Sequence, residues 1–277
     1  MNVLNSLLNR VAEILLAPFA AMPLAGLVFW GAVAGVLMTF VFKRTSNQRA
    51  LADIADHTRA QMLAVRLFRD DLAVTFVCQL QLLKLIGLRL WHSLPPTLVM
   101  MVPFVLVLIQ LALRYESLPL TTGDEAMVEL QLSPDAWEQY QDTSLEAPAG
   151  VTLETPGLRD QRRHSISWRI GVQEASASAL RWTVGEEEVD KSLAVSDSPR
   201  QLTVVGQRRP GPGFWDQLFH PTEVAFSPSS AVRQVDVFYP HARSTPCLGM
   251  NLPWWLTFMI ASILAALVAR PFVGAQF

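Results

Sequence analysis

The sequence predicts a membrane protein with three transmembrane helices, a cytoplasmic helical hairpin after the first, and an extracytoplasmic all-β, sandwich-like domain between the second and third. Three observations carry this. Apolar residues make up 51% of 277 positions and the mean hydropathy is +0.29, both high for a soluble chain. The excess is gathered into uncharged runs. Charge is segregated along the chain: residues 43–96 hold eight Lys/Arg against four Asp/Glu, whereas residues 116–251 hold eleven against nineteen. Basic residues close to membrane ends stay cytoplasmic, while acidic residues contribute little to orientation.

Residues 1–19 form the first element. Leu4, Leu7, Leu8, Val11, Ile14 and Leu15 share one face at helical spacing, with Asn5, Asn9, Arg10 and Glu13 opposite and Pro18 as a stop. No basic stretch precedes them and polar residues interrupt any signal-peptide core, so the expectation is an interfacial amphipathic helix. The first span, residues 20–42, is uncharged and as long as a helix rising 1.5 Å per residue needs to cross hydrocarbon.

Residues 43–96 are expected to be a net-basic cytoplasmic hairpin. Lys43 and Arg44 follow the first span directly, and Ser46 or Asn47 can cap a new helix. The arm from Gln48 to Phe68 is moderately amphipathic. RLFRDDL, Arg66 to Leu72, is the expected bend, because Asp70 or Asp71 can accept from the free N–H groups of the next helix. The second arm, Leu72 to Leu94, is apolar enough to resemble a span. It carries Gln79, Gln81, Lys84, Arg89 and His92, however, and only Pro95-Pro96 separates it from the second span at residues 97–115. It reads as a cytoplasmic or interfacial helix. Its apolar face, including Phe76, Val77, Leu80, Leu83 and Leu90, is wider than one short helix covers, and it either packs on the first arm and the membrane or receives apolar segments of other proteins.

The second span contains Pro103 and Gln110; the first removes a backbone donor and the second needs a partner in hydrocarbon. Arg114, at its outer end, is the single dissent from the charge rule. Residues 116–251 then alternate apolar and polar positions in MVELQLS, GVTLETP, SISWRIGVQ, LRWTVG, QLTVVGQ and VRQVDVFYP, between Gly, Pro, Asp and Ser clusters. GEEEVD, Gly185 to Asp190, reads as a solvated hairpin tip, since its adjacent carboxylates are not spaced around a cation. RRPGPGFWDQLFHP, Arg208 to Pro221, is either a loop dipping to the membrane interface or a plug of the sandwich core. The third span, residues 252–270, opens on aromatic anchors, Trp254 and Trp255, and closes on Arg270 before a cytoplasmic tail, 271–277.

This topology places Cys78 inside and Cys247 outside, so no intramolecular disulfide is expected. The five histidines lack metal-ligand spacing, there is no phosphate-binding glycine loop or GxSxG element, and DQRRHS, Asp160 to Ser165, holds triad residue types only as sequence neighbours. The expectation is no enzyme, no metal and no cofactor. Nothing points to DNA; the basic hairpin can touch ribosomal RNA or acidic headgroups.

The order of elements, with FKRTSNQ, RLFRDDL and the proline-containing second span as local cues, resembles the YidC/Oxa superfamily of membrane protein insertases. The likeness extends to the three-span branch that includes the third subunit of the endoplasmic-reticulum membrane protein complex, and it covers about Asn2 to Leu120 and Leu252 to Phe277. The resemblance implies an insertase or membrane chaperone that takes hydrophobic segments on the hairpin and passes them through a polar groove. Phe76, Leu80 and Leu83 would be the hairpin contacts, and Thr39, Gln110, Thr257 and Ser262 the groove contacts. Two departures stand out: the first span carries no charge, and a whole β domain occupies what is a short loop in the three-span branch. The implied partners are lipid, nascent membrane proteins, the ribosome and a protein on the β domain; the implied location is the bacterial cytoplasmic membrane, with N-terminus and β domain outside. A structural or adaptor subunit of a larger membrane complex is the alternative.

Overall fold

A computed structural model describes residues 2–68, 71–175, 178–247 and 250–274. Three helices are long and apolar enough to cross a membrane, Pro23–Thr45, Ala73–Tyr115 and Trp254–Val273, and a separate antiparallel β region lies between the second and third. The chain is a membrane protein. It divides into two compact units, one comprising Met1–Gly26 and Leu108–Trp254, the other Leu27–Val107 and Trp255–Phe277.

The second unit is helical. Helix α2 (Pro23–Thr45) carries Gly31 and Gly35 four residues apart, and both face α7 (Trp254–Val273). A Cβ on Gly31 would stand 3.0 Å from Ala261 Cβ and from Phe258 O; one on Gly35 would collide with the Ser262 carbonyl oxygen and lie 2.8 Å from its carbon. Small residues at this spacing let two backbones approach within a bilayer, where helix association rests on close packing. Further along, Lys43 Nζ donates to Val273 O at 2.6 Å. The pairs 31/258, 35/262 and 43/273 advance together, so α2 and α7 run parallel. Their basic last turns, Lys43, Arg44 and Arg270, therefore share one end.

Asn47 caps α3 (Gln48–Leu67) by accepting from Ala50 N at 3.2 Å, which selects it over Ser46. Asp71 caps α4 (Leu72–Tyr115), its Oδ1 accepting from Ala73 N at 3.0 Å and Val74 N at 3.2 Å. The alternative cap, Asp70, lies outside the described residues. Helix α4 runs unbroken for 44 residues through Pro95, Pro96 and Pro103. The expected separation of hairpin arm from span at Pro95-Pro96 is thus not a helix break. Each proline costs one donor but leaves the helical φ intact, and Thr97 Oγ1 and Ser93 Oγ donate to Ser93 O and Arg89 O around the pair. At 1.5 Å per residue α4 is ~66 Å long, about twice the hydrocarbon thickness.

The first unit opens with α1 (Asn2–Leu16) and a short 3-10 turn, Ala17–Phe19. Its β region has a six-stranded sheet in which β3 (Val151–Leu153), β5 (Ser165–Val172), β1 (Glu125–Leu132), β9 (Val232–Phe238) and β8 (Arg208–Arg209) follow in order, with β4 (Leu158–Asp160) also on β5. A three-stranded sheet orders β2 (Leu145–Glu146), β6 (Ser178–Val184) and β7 (Glu187–Leu193). A ribbon of β10 (Ser244–Cys247) and β11 (Met250–Pro253) leads into α7. Two short helices complete it, α5 (Pro134–Tyr140) and α6 (Phe214–Phe219). Val128, Leu130, Trp168 and Ile170 of the larger sheet and Leu180, Trp182 and Val189 of the smaller form one buried cluster, with Trp168 and Trp182 ring centroids 6.2 Å apart. Alternation in sequence has become a shared core between two sheets.

Three expectations change in this region. GEEEVD is a tip only at Gly185-Glu186; Gly185, at φ +64°, takes the first position of a two-residue hairpin turn, and Glu187 already opens β7. QLTVVGQ forms no strand of its own, although its last residue, Gln207, accepts from Val237 N of β9 at 2.7 Å. Its amides at 202 and 205 go to helix ends instead, with Leu202 N donating to Ala20 O at 3.2 Å and Val205 N to Leu113 O at 2.8 Å. Arg208–Pro221 does not plug the core, because Phe214, Trp215 and Phe219 are exposed. Cys78 is buried and free; the Cys247 side chain lies outside what the structure describes.

The inward alternation of β7 also buries a charge, Lys191. Its Nζ donates to Gly206 O at 2.6 Å and faces Glu223 Oε2 at 3.2 Å, while Glu223 Oε1 accepts from Ser192 N at 2.7 Å. Burial lowers the Lys191 ammonium from its ordinary range, and Glu223 offsets part of that.

Gly35→Leu should lower the stability of the full chain in mild detergent by about 1–3 kcal/mol in a thermal or denaturant titration, because the obstruction is backbone that cannot rotate away. Asp124 supplies a pH test. Burial alone would raise its carboxyl, but hydrogen bonds from the N–H and hydroxyl of Thr121, with His241 Nε2 at 3.3 Å, hold it below its ordinary value. With the folded pKa depressed, its contribution is present above the unfolded value and is lost as pH falls through the folded one. Asp124→Asn should therefore destabilise the chain at neutral pH and flatten its acid unfolding below about pH 4, followed by tryptophan fluorescence.

Candidate functional site

Two constellations stand out, one in each unit. In the helical unit α2, α4 and α7 leave a groove of about 350 Å³ among Ala34, Gly35, Met38, Thr97, Met100, Met101, Phe104, Met259, Ser262, Ile263 and Ala266. Gly35, the glycine that allows α2 onto α7, is itself part of this lining. Four of the nine methionines of the chain line the groove. Their unbranched thioethers re-pack around irregular apolar shapes at little cost. The two hydroxyls on the wall donate within their own helices, Ser262 Oγ to Met259 O at 2.9 Å and Thr97 Oγ1 to Ser93 O at 2.8 Å. The lining is therefore apolar in character.

Of the polar residues expected in a groove, only Ser262 lines this one. Thr39 is buried with its hydroxyl on Gly35 O at 2.9 Å, and Thr257 is buried as well. Gln110 belongs to the other unit. A β-branched or small hydroxyl residue in a span satisfies itself on the preceding turn, which is why its presence in sequence does not mark a groove.

The hairpin candidates behave differently. Phe76, Leu80 and Leu83 are 61%, 53% and 66% exposed. With Leu90, Trp91 and Leu94, also exposed, they lie within about 100° of arc on α4 at 100° per residue. Gly87, in the middle of this stripe, has open space where a Cβ would be. The same unbroken helix carries Thr97, Met100 and Met101 of the groove wall further along; Met101 falls on the arc of the stripe, whereas Met100 lies well off it. Sequence periodicity identified the stripe; the methionines went unnoticed because a methionine in a span has no local signature.

The second constellation is polar. Gln110 Nε2 donates to Asn9 Oδ1 at 2.9 Å, and Arg114 donates from Nη1 to Gln110 O at 3.0 Å and Oε1 at 3.3 Å, and from Nη2 to Asn9 O at 3.5 Å. Asn9 Nδ2 donates to Pro221 O at 2.8 Å and Asn5 Nδ2 to Gln217 O at 3.0 Å. Arg114 and Gln110 are both buried. This chain of amides and one guanidinium has no nucleophile or general base, so it can hold elements together but offers no route for acid–base chemistry. Arg114, the dissenting charge, is thus bound by protein groups. Nearby in the same unit, Arg208 pairs with Asp236 at 2.6 Å and Asp216 at 3.5 Å, and His220 stands 3.9 Å from Asp216. Burial first, and Arg208 second, lower the His220 pKa from its ordinary value.

Among the described residues no group of three or more His, Cys, Asp or Glu side chains converges as a metal site. Comparison of the chain with protein-family models, with curated proteins and with solved structures gave no match in any of the three.

The polar chain predicts a local effect. Asn9→Leu removes at once the Asn9 partners of Gln110 Nε2 and Pro221 O and should cost about 1–3 kcal/mol at this junction. Trypsin cleavage after Arg10 in detergent should accelerate roughly tenfold if opening loses about 1.4 kcal/mol.

Proposed function

We propose that the protein is a non-enzymatic membrane protein insertase or membrane chaperone of YidC/Oxa type. One observation carries the reading: an unpartnered apolar stripe on α4, from Phe76 to Leu94, leads along one continuous helix into a methionine-lined groove between three membrane helices. A hydrophobic segment of a client would leave water along the stripe and enter lipid along the groove. The soft apolar wall suits many sequences and makes few directional demands, as a client channel requires. The pair Pro95-Pro96, which removes the N–H donors that Trp91 and His92 carbonyls would accept, sits where the stripe gives way to the groove and permits bending there.

In the proposed topology the stripe and the net-basic segment 43–96 are cytoplasmic, and the N-terminus and β region are outside, in a bacterial cytoplasmic membrane. Support comes from Lys43, Arg44 and Arg270 gathered at one end of the parallel pair α2 and α7, and from the engagement of Arg114 by protein partners. The clients are nascent membrane proteins, with the ribosome as donor facing the basic segment. A second reading, an adaptor subunit, rests on an open cleft of about 900 Å³ on the β region beside Ser133, Asp135, Gly211, Pro212 and Ser229–Gln234, roomy enough for a peptide from a partner.

Photo-crosslinkers at Phe76, Leu80 and Met101 in cells should capture newly made membrane proteins, while one at Gln81, on another face of α4, should not. Capture of only lipid and a fixed stoichiometric neighbour would replace the insertase with the adaptor. Because Cys78 is buried, topology is better reported by Arg59→Cys and Leu158→Cys, both exposed. An impermeant maleimide should reach position 158 in intact cells and position 59 only after lysis; the reverse would overturn the assignment of sides.

A further inference from the structure

The sequence makes α1 amphipathic, and the structure turns it inside out. Asn5, Ala12 and Leu16 are buried and Asn9 is half-buried, whereas Leu4, Leu7, Val11, Ile14 and Leu15 are exposed. A helix on a soluble domain does the opposite, because burying its apolar stripe is what holds it there. Here the polar face holds it, through the amide bonds of Asn5 and Asn9 to Gln217 O and Pro221 O. Those carbonyls belong to α6 and the residue pair that follows it. Helix α6 exposes an aromatic cluster of its own, Phe214, Trp215 and Phe219, in which Trp215 packs edge-on to Phe214 and stacked on Phe219.

The two elements are thus fastened to each other by hydrogen bonds while both leave apolar side chains exposed. So many exposed apolar side chains on two bonded elements are a liability in water unless something covers them. Its position along the chain says what does. Helix α1 passes through Ala17–Phe19 directly into Pro23, the first residue of a membrane-crossing helix, and Tyr115, the last residue of another, donates its hydroxyl to Pro23 O at 2.9 Å. The ends of two membrane helices therefore fix this level of the first unit at the edge of the hydrocarbon. Aromatic side chains are favoured at that depth, and Arg10 and Glu13 of α1, both exposed, suit the headgroup layer.

We infer that α1 and α6 form a single lipid-binding face that embeds in one leaflet and seats the β region on the bilayer. The occupant is lipid acyl chain and glycerol backbone. This assignment is independent of the insertase reading, since it concerns how the first unit meets the membrane whatever passes through the second.

The test uses the full chain in nanodiscs of phosphatidylcholine and phosphatidylglycerol, with Cys78→Ala and Cys247→Ser as background. Nitroxide labels are placed one at a time at Ile14→Cys and Trp215→Cys, with Val36→Cys on α2 as a lipid-facing reference and Leu158→Cys as a water-facing one. Power-saturation measurements with oxygen and with a nickel chelate should give both test sites the oxygen-rich, nickel-poor pattern of position 36. A water-like pattern at 215 resembling position 158 would overturn the inference. So would protection from both reagents at 14 and 215, which would mean that protein covers the face. Circular dichroism and thermal unfolding of each variant confirm that the fold survives, and Phe219→Cys replaces any that fails.

Discussion

Where a membrane helix ends, its last carbonyls have no partner along the chain, and the structure of the first unit follows from meeting that demand. Leu113 O accepts from Val205 N, and Ala20 O, ahead of α2, accepts from Leu202 N. The segment that supplies both donors forms no strand, so those two amides are available for helix ends. Arg114 in the last turn of α4 is placed where a cation favourably meets the carbonyl end, and its remaining donors are taken by Asn9 and Gln110. The β region is therefore fastened to the membrane helices by backbone and amide groups, which tolerate apolar substitution at the surface but not loss of the amides.

The helical unit is governed by a different economy. Gly31 and Gly35 bring α2 close to α7, with which it runs parallel, and Gly35 also lines the groove beside Met38, Met100 and Met259. The close packing of α2 on α7 and the groove that adjoins it therefore share a residue. Helix α4 tolerates three prolines because its long apolar stretch keeps helical geometry favourable where water cannot substitute for the lost bonds. The same prolines make this the least supported part of an otherwise regular helix, at the point where the exposed stripe ends.

Charge inside the β region is handled by enclosure. Lys191 occupies an inward position that alternation would give to an apolar residue, and it is accommodated by a carbonyl and by Glu223. Arg243 is likewise buried against the carbonyls of Pro199, Arg200 and Gln201, and burial lowers its pKa. Burying one side of a pair costs several kcal/mol unless its partner is present, so each acts as a register pin for the loop it meets.

The sequence by itself determined the elements that depend on local periodicity or charge. The three membrane helices, helix starts near Ser46-Asn47 and Asp70-Asp71, the amphipathic α1, strands in MVELQLS, SISWRIGVQ, LRWTVG and VRQVDVFYP, and the apolar stripe on α4 all follow from side-chain pattern within a single element; which residue of the first pair caps was settled by the structure. What only the tertiary structure decided depends on which elements meet. Continuity of α4 through Pro95-Pro96 was not legible, because a proline pair is both a common stop and a tolerated kink in an apolar helix. QLTVVGQ alternates like a strand, yet its amides at 202 and 205 go to Ala20 O and Leu113 O, while its last residue, Gln207, accepts from Val237 of β9. Position 191 falls on the inward face of β7 by alternation, and a lysine is accommodated there because Gly206 O and Glu223 are placed beside it. The groove is the clearest case: of the polar residues expected to line it only Ser262 does, Thr39 and Thr257 are buried elsewhere in their helices, and Gln110 is bonded to Asn9, while methionines and a glycine make up much of the wall, because a cavity is a property of three helices together and of no single sequence window.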